Sequence, residues 1–246
     1  MATDERDPFY VGYLPTPAPH RRFAKAAFLA VLLVAAGTGA LVAWLMDDPG
    51  DAVWASQPST ITGTLRLEPV TFIDTDDGPV LLVEIGKFGA RDLSSLGDGS
   101  PVTATGLLLS RGEQRMLELT SDDTAVAQTD GTPPQSPRGQ QTFPITVTGE
   151  IIDTKCYLGA MKPGQGTTHA ACGRLCIRGG IPAGFVGVLG GEPLWAVIDP
   201  GDREVISEEL LNAVGDQVTI EAVFITVNGL DVLYNVRLVE PHAGSN

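Results

Sequence analysis

A chain of 246 residues with 16 Lys+Arg against 30 Asp+Glu carries a net charge of −14, and 43% of it is hydrophobic but only 6% aromatic. Such a chain can bury a real core in one or two domains, and its apolar fraction excludes wholesale disorder. Its acidity excludes nucleic acid as a partner, because phosphate binding needs a basic footprint, and its 29 Gly and 18 Pro exclude a long helical bundle in favour of a turn-rich, mainly β protein.

Residues 1–22 form a tail containing Phe9-Tyr10-Val11-Gly12-Tyr13-Leu14-Pro15, aromatic, proline-broken and too short to fold alone, which suits the cytoplasmic membrane interface or a membrane partner. Within residues 23–46, Ala26 to Met46 is 21 residues without a charge. As a helix that run spans about 30 Å, the hydrocarbon thickness of a lipid bilayer. A cleaved signal peptide has a shorter apolar region of about 7 to 15 residues, so the run predicts an uncleaved signal-anchor. His20, Arg21, Arg22 and Lys25 precede it, and Asp47, Asp48 and Asp51 follow it. Positive residues stay inside, which predicts a cytoplasmic N-terminus and an extracytoplasmic, periplasmic C-terminal region at a bacterial inner membrane. Beyond residue 25 there are 12 Lys+Arg against 27 Asp+Glu, so the acidity belongs to the outer region. Arg21-Arg22-Phe23-Ala24-Lys25 partly resembles a twin-arginine export signal, with His20 where that signal has Ser or Thr; arginines that merely orient the helix are the simpler account.

The outer region alternates like β-strands. In residues 58–120, strands are predicted from Ile61 to Leu67, at Thr71-Phe72-Ile73, from Val80 to Val83, from Val102 to Leu109 and from Arg115 to Leu119, with a turn at Asp76-Asp77-Gly78. Residues 121–142 have the polar, Pro/Gly-rich composition of an exposed linker. Residues 143–240 then repeat the first pattern. Ile61-Thr62-Gly63 matches Val147-Thr148-Gly149, Pro79 to Val83 matches Pro193 to Val197, and Gly112 to Leu119 matches Gly229 to Val236, with one jump in offset that isolates an insertion at about 155–183. The second copy predicts strands Ile145 to Ile152, Phe185 to Ile198 turning at Gly190-Gly191, Gln217 to Thr226 and Asp231 to Leu238, with a helix from Ser207 to Ala213. Five strands with a helix between the third and fourth is the order of an OB-fold, so the expected fold is mainly β: a transmembrane helix followed by two tandem OB-like β-barrels. The alternative is one irregular β-sandwich.

All three cysteines lie in the insertion, at Cys156, Cys172 and Cys176, together with His169. On a helix His169, Cys172 and Cys176 would share a face, and a loop returning Cys156 to that face would complete a Cys3His set. Such a set suits zinc, copper or an iron-sulfur cluster, with Met161 as a further soft donor. Two other chemistries use the same residues. Cys156 paired with Cys172 or Cys176 in a disulfide would staple the insertion to the barrel, or one thiol would be reactive, with His169 as base and Arg174 or Arg178 lowering its pKa. Lys162, Arg174 and Arg178 are candidates to bind an anionic group or to balance thiolates.

The tail PFYVGYLPTP, the single span, and KCYLGAMKPG with HAACGRLCIRGGIP resemble a group of bacterial membrane-anchored proteins without an assigned activity, associated with respiratory-type redox proteins. The resemblance covers the tail and the second repeat. It implies a membrane complex of respiratory type as partner and electron transfer as context, and supplies neither a reaction nor ligand residues. No GxSxG, HExxH, CxxCH or phosphate-loop motif occurs. The expected function is therefore a membrane-anchored extracytoplasmic subunit presenting a Cys/His metal or redox site. A disulfide-stapled assembly subunit and a thiol-redox enzyme are the alternatives.

Overall fold

The computed structural model describes residues 18–45, 51–130, 142–203 and 205–240. The expected aromatic tail and residues 131–141, half of the expected linker, lie outside the described residues. The chain divides into two units, Met1–Asp48 and Pro49–Asn246. In the first, α1 (Ala18–Leu45) is one continuous helix. Its His20–Leu45 stretch has a mean hydropathy of 2.3 and is long and apolar enough to cross a membrane by length and composition.

The second unit is built from two successive sheets. The first contains β1 (Val53–Arg66), β2 (Phe72–Thr75), β3 (Gly78–Val83), β4 (Pro101–Arg111), β5 (Gln114–Leu119) and β6 (Val126–Gln128). They lie in the order β1-β2-β3-β5-β4-β6, and β1 also pairs with β4. Along β4 the period of two is kept, with Val102 and Ala104 buried between more exposed threonines, as a strand with one face on a core requires. The β2–β3 turn works because Gly78 takes φ +117°, open to glycine, while the Thr75 hydroxyl donates to the Gly78 carbonyl at 2.6 Å.

The sixth strand lies where composition predicts linker. Val126 pairs with Ala104, and Ala125 and Val126 are buried in the same core as Val102. Two small apolar residues are enough to dock a three-residue edge strand, a signal too short for a composition window to register.

The second sheet contains β7 (Thr142–Asp153), β8 (Ala183–Leu189), β9 (Glu192–Ile198), β10 (Gln217–Val227) and β11 (Leu230–Glu240). It is a closed barrel, β7-β8-β9-β11-β10, in which only the β9–β11 pairing is parallel. Between β9 and β10 lies α3 (Glu208–Asn212); the Ser207 hydroxyl accepts from the Leu210 amide and caps it, with Glu208 and Glu209 in the first turn. The predicted second-half elements fall within a few residues of these, including the turn at Gly190-Gly191.

Three buried clusters hold the unit together. One fills the barrel around Ile151, Phe185, Leu211 and Ile220, and another fills the first sheet around Leu65, Ile73, Leu82 and Leu117. The third joins them: Phe72, Leu81, Leu109 and Met116 of the first sheet pack with Cys156, Leu158, Cys176 and Ile181 of the insertion and with Val197 and Val232 of the barrel. The insertion is thus the mortar between the two sheets, and this is what brings residues of the first sheet to it.

Candidate sulfur-rich metal site

At the end of β7 the buried Asp153 ends the strand by accepting the Cys156 amide at Oδ1, 2.8 Å away. The chain then makes a wide π-helical turn, Cys156–Ala160, of the kind that often marks functional positions. It leaves that turn at Gly159, where φ is +142° and a Cβ would meet the carbonyl of Val53, so glycine is required. It returns as α2 (Ala170–Arg178), with His169 at the N-cap position. Cys172 and Cys176 stand one turn apart on α2 and therefore share a face, which lies against Cys156.

The Sγ atoms of Cys156, Cys172 and Cys176 all lie within 4.8 Å of one another. All three thiols are free, so the disulfide staple is not formed. Cys156 and Cys176 are buried and Cys172 is partly exposed. The Met161 thioether lies 3.5 Å from Cys172 Sγ, giving a fourth sulfur at the open side. The group is asymmetric in charge. Cys156, donating to Cys176 and desolvated by burial, is pushed up, whereas Cys176, accepting from Cys156 and facing a nearby ammonium, is brought down to about 7.

That ammonium belongs to Lys87, which sequence reasoning missed. Its Nζ is 2.8 Å from Cys172 Sγ and 3.3 Å from Cys176 Sγ, and these contacts raise its own pKa. Lys87 comes from the loop after β3, in the other sheet. The loop is held in place from below: Lys155, 3% exposed, donates to the carbonyls of Glu84 and Gly86 at 2.8 Å each and makes an ion pair with buried Glu118, using all three ammonium donors. The Gly89 amide also donates to the Gly179 carbonyl at 2.9 Å. Lys87 lies 69 positions before Cys156, so no local spacing could connect them. The one available hint was scarcity, since Lys87 is the only lysine between residues 26 and 154.

Of the remaining candidates the structure keeps His169 beside one sulfur, a ring nitrogen within 4.8 Å of Cys156 Sγ, and turns Arg174 and Arg178 to α3. His169 is buried with Nε2 at 2.7 Å from Asp153 Oδ2, so the imidazole is held by the same carboxylate that caps the Cys156 turn. Asp153, Cys156 and His169 form a second compact group, but there the carboxylate and the imidazole are already engaged with each other. Arg174 donates to the Asn212 carbonyl at 2.9 Å and Arg178 pairs with Glu208 at 3.0 Å, so both bind the α3 segment. Lys162 is exposed on the bend that follows Met161. A cleft of about 640 Å³, lined among others by Glu68, Phe88, Arg91 and Arg203, has no cysteine or histidine in its wall, and Arg91 in it is committed to a two-pronged pair with Glu84.

Three thiols converging from two elements, with a thioether beside them and a cation over them, can hold a soft metal ion or undergo thiol oxidation. No family model, curated protein or solved structure matches this chain.

Proposed function

We propose that the chain is an extracytoplasmic subunit, anchored by α1 in a bacterial inner membrane with its N-terminus inside, whose two OB-like units hold a soft-metal centre on Cys156, Cys172 and Cys176. The observation that carries this reading is the mutual approach of three Sγ atoms within 4.8 Å. These thiols supply three of the four corners a tetrahedral ion needs. Met161, at 3.5 Å from Cys172 Sγ, is the available fourth donor, and a thioether favours Cu(I) over zinc, whose usual ligands are thiolate, imidazole and carboxylate. A cubane-type cluster on four cysteines is disfavoured by having only three. The positive charge of Lys87 offsets the negative charge of the thiolates in an otherwise acidic region, a role expected of Lys162, Arg174 and Arg178. His169 acts through Asp153 as a brace for the Cys156 turn. The partner, on the resemblance of the tail and insertion, is a membrane complex of respiratory type, and the centre would serve electron transfer or metal delivery there.

The test is anaerobic titration of the reduced full chain with Cu(I) and with zinc in competition with chromophoric chelators. Cys172→Ser abolishes tight binding of both ions, while Met161→Leu weakens Cu(I) by at least about tenfold and leaves zinc unchanged. Equal binding of Cu(I) by wild type and Cys172→Ser overturns the reading.

A further inference from the structure

Lys87 is unusual among the cations of this chain. In a protein with 30 Asp+Glu its ammonium bonds no carboxylate among the described residues and rests on two sulfurs instead. The contact is built from both sides. On one side Cys172 and Cys176 are set one turn apart on α2. On the other, the loop is clamped by Lys155 on the carbonyls of Glu84 and Gly86 and by the Gly89 to Gly179 hydrogen bond, so Lys87 is tethered immediately between fixed points. Among the three thiols, Cys172 alone is not buried, and Lys87 is exposed beside it, so a small oxidant can reach this pair before the other sulfurs.

We propose that Lys87 and Cys172 form a reversible covalent cross-link through a single oxygen atom, Sγ–O–Nζ, when the metal-free site meets a peroxide. The 2.8 Å between Nζ and Sγ is a gap that one bridging oxygen spans without moving either backbone. The thiolate first takes an oxygen from hydrogen peroxide to become a sulfenic acid, losing two electrons and releasing hydroxide. The amine nitrogen then bonds to that oxygen as a second peroxide accepts two electrons. Overall the Cys172 thiolate, the Lys87 ammonium and two peroxides give the S–O–N–H bridge and three waters. The bridge removes one sulfur from the metal-binding set and is undone by thiol reductants, which makes the site a redox-gated one. It requires only the free thiols and the lysine, and so stands apart from the metal-centre reading.

The test uses the full chain in detergent. Its metal content is measured first, on the reduced protein, so that the metal reading stands or fails separately. The protein is then stripped with a chelator, exposed to a small excess of hydrogen peroxide and digested for mass spectrometry. The expected product is a linked pair of peptides, one carrying Lys87 and the other Cys172, with one oxygen gained and two hydrogens lost, a shift of about 14 Da, and it is released by dithiothreitol. Lys87→Arg, which keeps the cation without the primary amine, abolishes that product. The proposal is overturned if Cys172 ends as sulfinic or sulfonic acid on an unlinked peptide, if cysteines pair with each other, if lysine and cysteine join without the oxygen, or if Cys176 carries the link instead.

Discussion

At the scale of single residues, the charge state of Cys176 makes the stability of the metal-free protein depend on pH. Its thiol is brought from 9.0 to about 7 by the Cys156 hydrogen bond and, with less weight, by Lys87. A folded-state value below the unfolded one stabilises the protein fully above pH 9, and that contribution is lost as pH falls through 7. Cys156 is raised, so it acts in the opposite sense once the unfolded thiol ionises above pH 9. Denaturant midpoints of the metal-free protein are therefore expected to climb from pH 7 to 9 and to decline beyond; a flat profile would show that the two thiols are not coupled. His169 makes a second test. His169→Ala leaves the fully buried Asp153 carboxylate without its imidazole and is expected to cost about 3 kcal/mol in urea unfolding while keeping the metal stoichiometry. Loss of metal without loss of stability would make the imidazole a ligand.

At the scale of elements, the loop from Glu84 to Gly89 and the insertion depend on each other. Lys155→Met strips a buried carboxylate, Glu118, of its cation and releases two loop carbonyls, so a loss of about 3 to 5 kcal/mol is expected. Gly179 is a subtler probe: a Cβ there would run into the Lys87 carbonyl, so Gly179→Ala pushes the loop off α2. Alkylation of Cys172 by a neutral maleimide is expected to accelerate in this variant, because Lys87 no longer covers it; an unchanged rate would mean that the loop does not shield the thiol. This is also where the sequence stopped being legible. The second-half strands and the Ser207 cap could be read because each depends on neighbours within a few positions. The clustering of the three cysteines was legible in the same way. The pairing of His169 with Asp153, the burial of Lys155 on Glu118 and the arrival of Lys87 were not, because each depends on how the insertion docks between sheets. Helical spacing put His169 with the cysteines, and its ring does lie within 4.8 Å of Cys156 Sγ, but the spacing gave no sign that the Asp153 carboxylate would hold Nε2. The edge strand β6 escaped for a different reason, since two apolar residues within a polar stretch carry little pattern.

At the scale of the whole molecule, the division of labour follows from the sequence outward: an apolar helix of 28 residues in one unit, and in the other two sheets with a sulfur site lodged in the insertion that joins their cores. With Arg21, Arg22 and Lys25 at one end of α1 and acidic residues beyond the other, an enzyme reporter active only outside the cytoplasm is expected to be active when fused after Asn246, and cytoplasmic activity of the opposite reporter would reverse the orientation. The central claim is that Cys156, Cys172 and Cys176 together hold one soft metal ion. Its most direct test is metal analysis combined with thiol counting on the full chain purified anaerobically from membranes: about one copper or zinc per chain, with thiols that become titratable only after a strong chelator removes the metal, is the result expected. Metal-free protein that takes up neither ion on addition, with all its thiols reacting freely before any chelator is added, would contradict it.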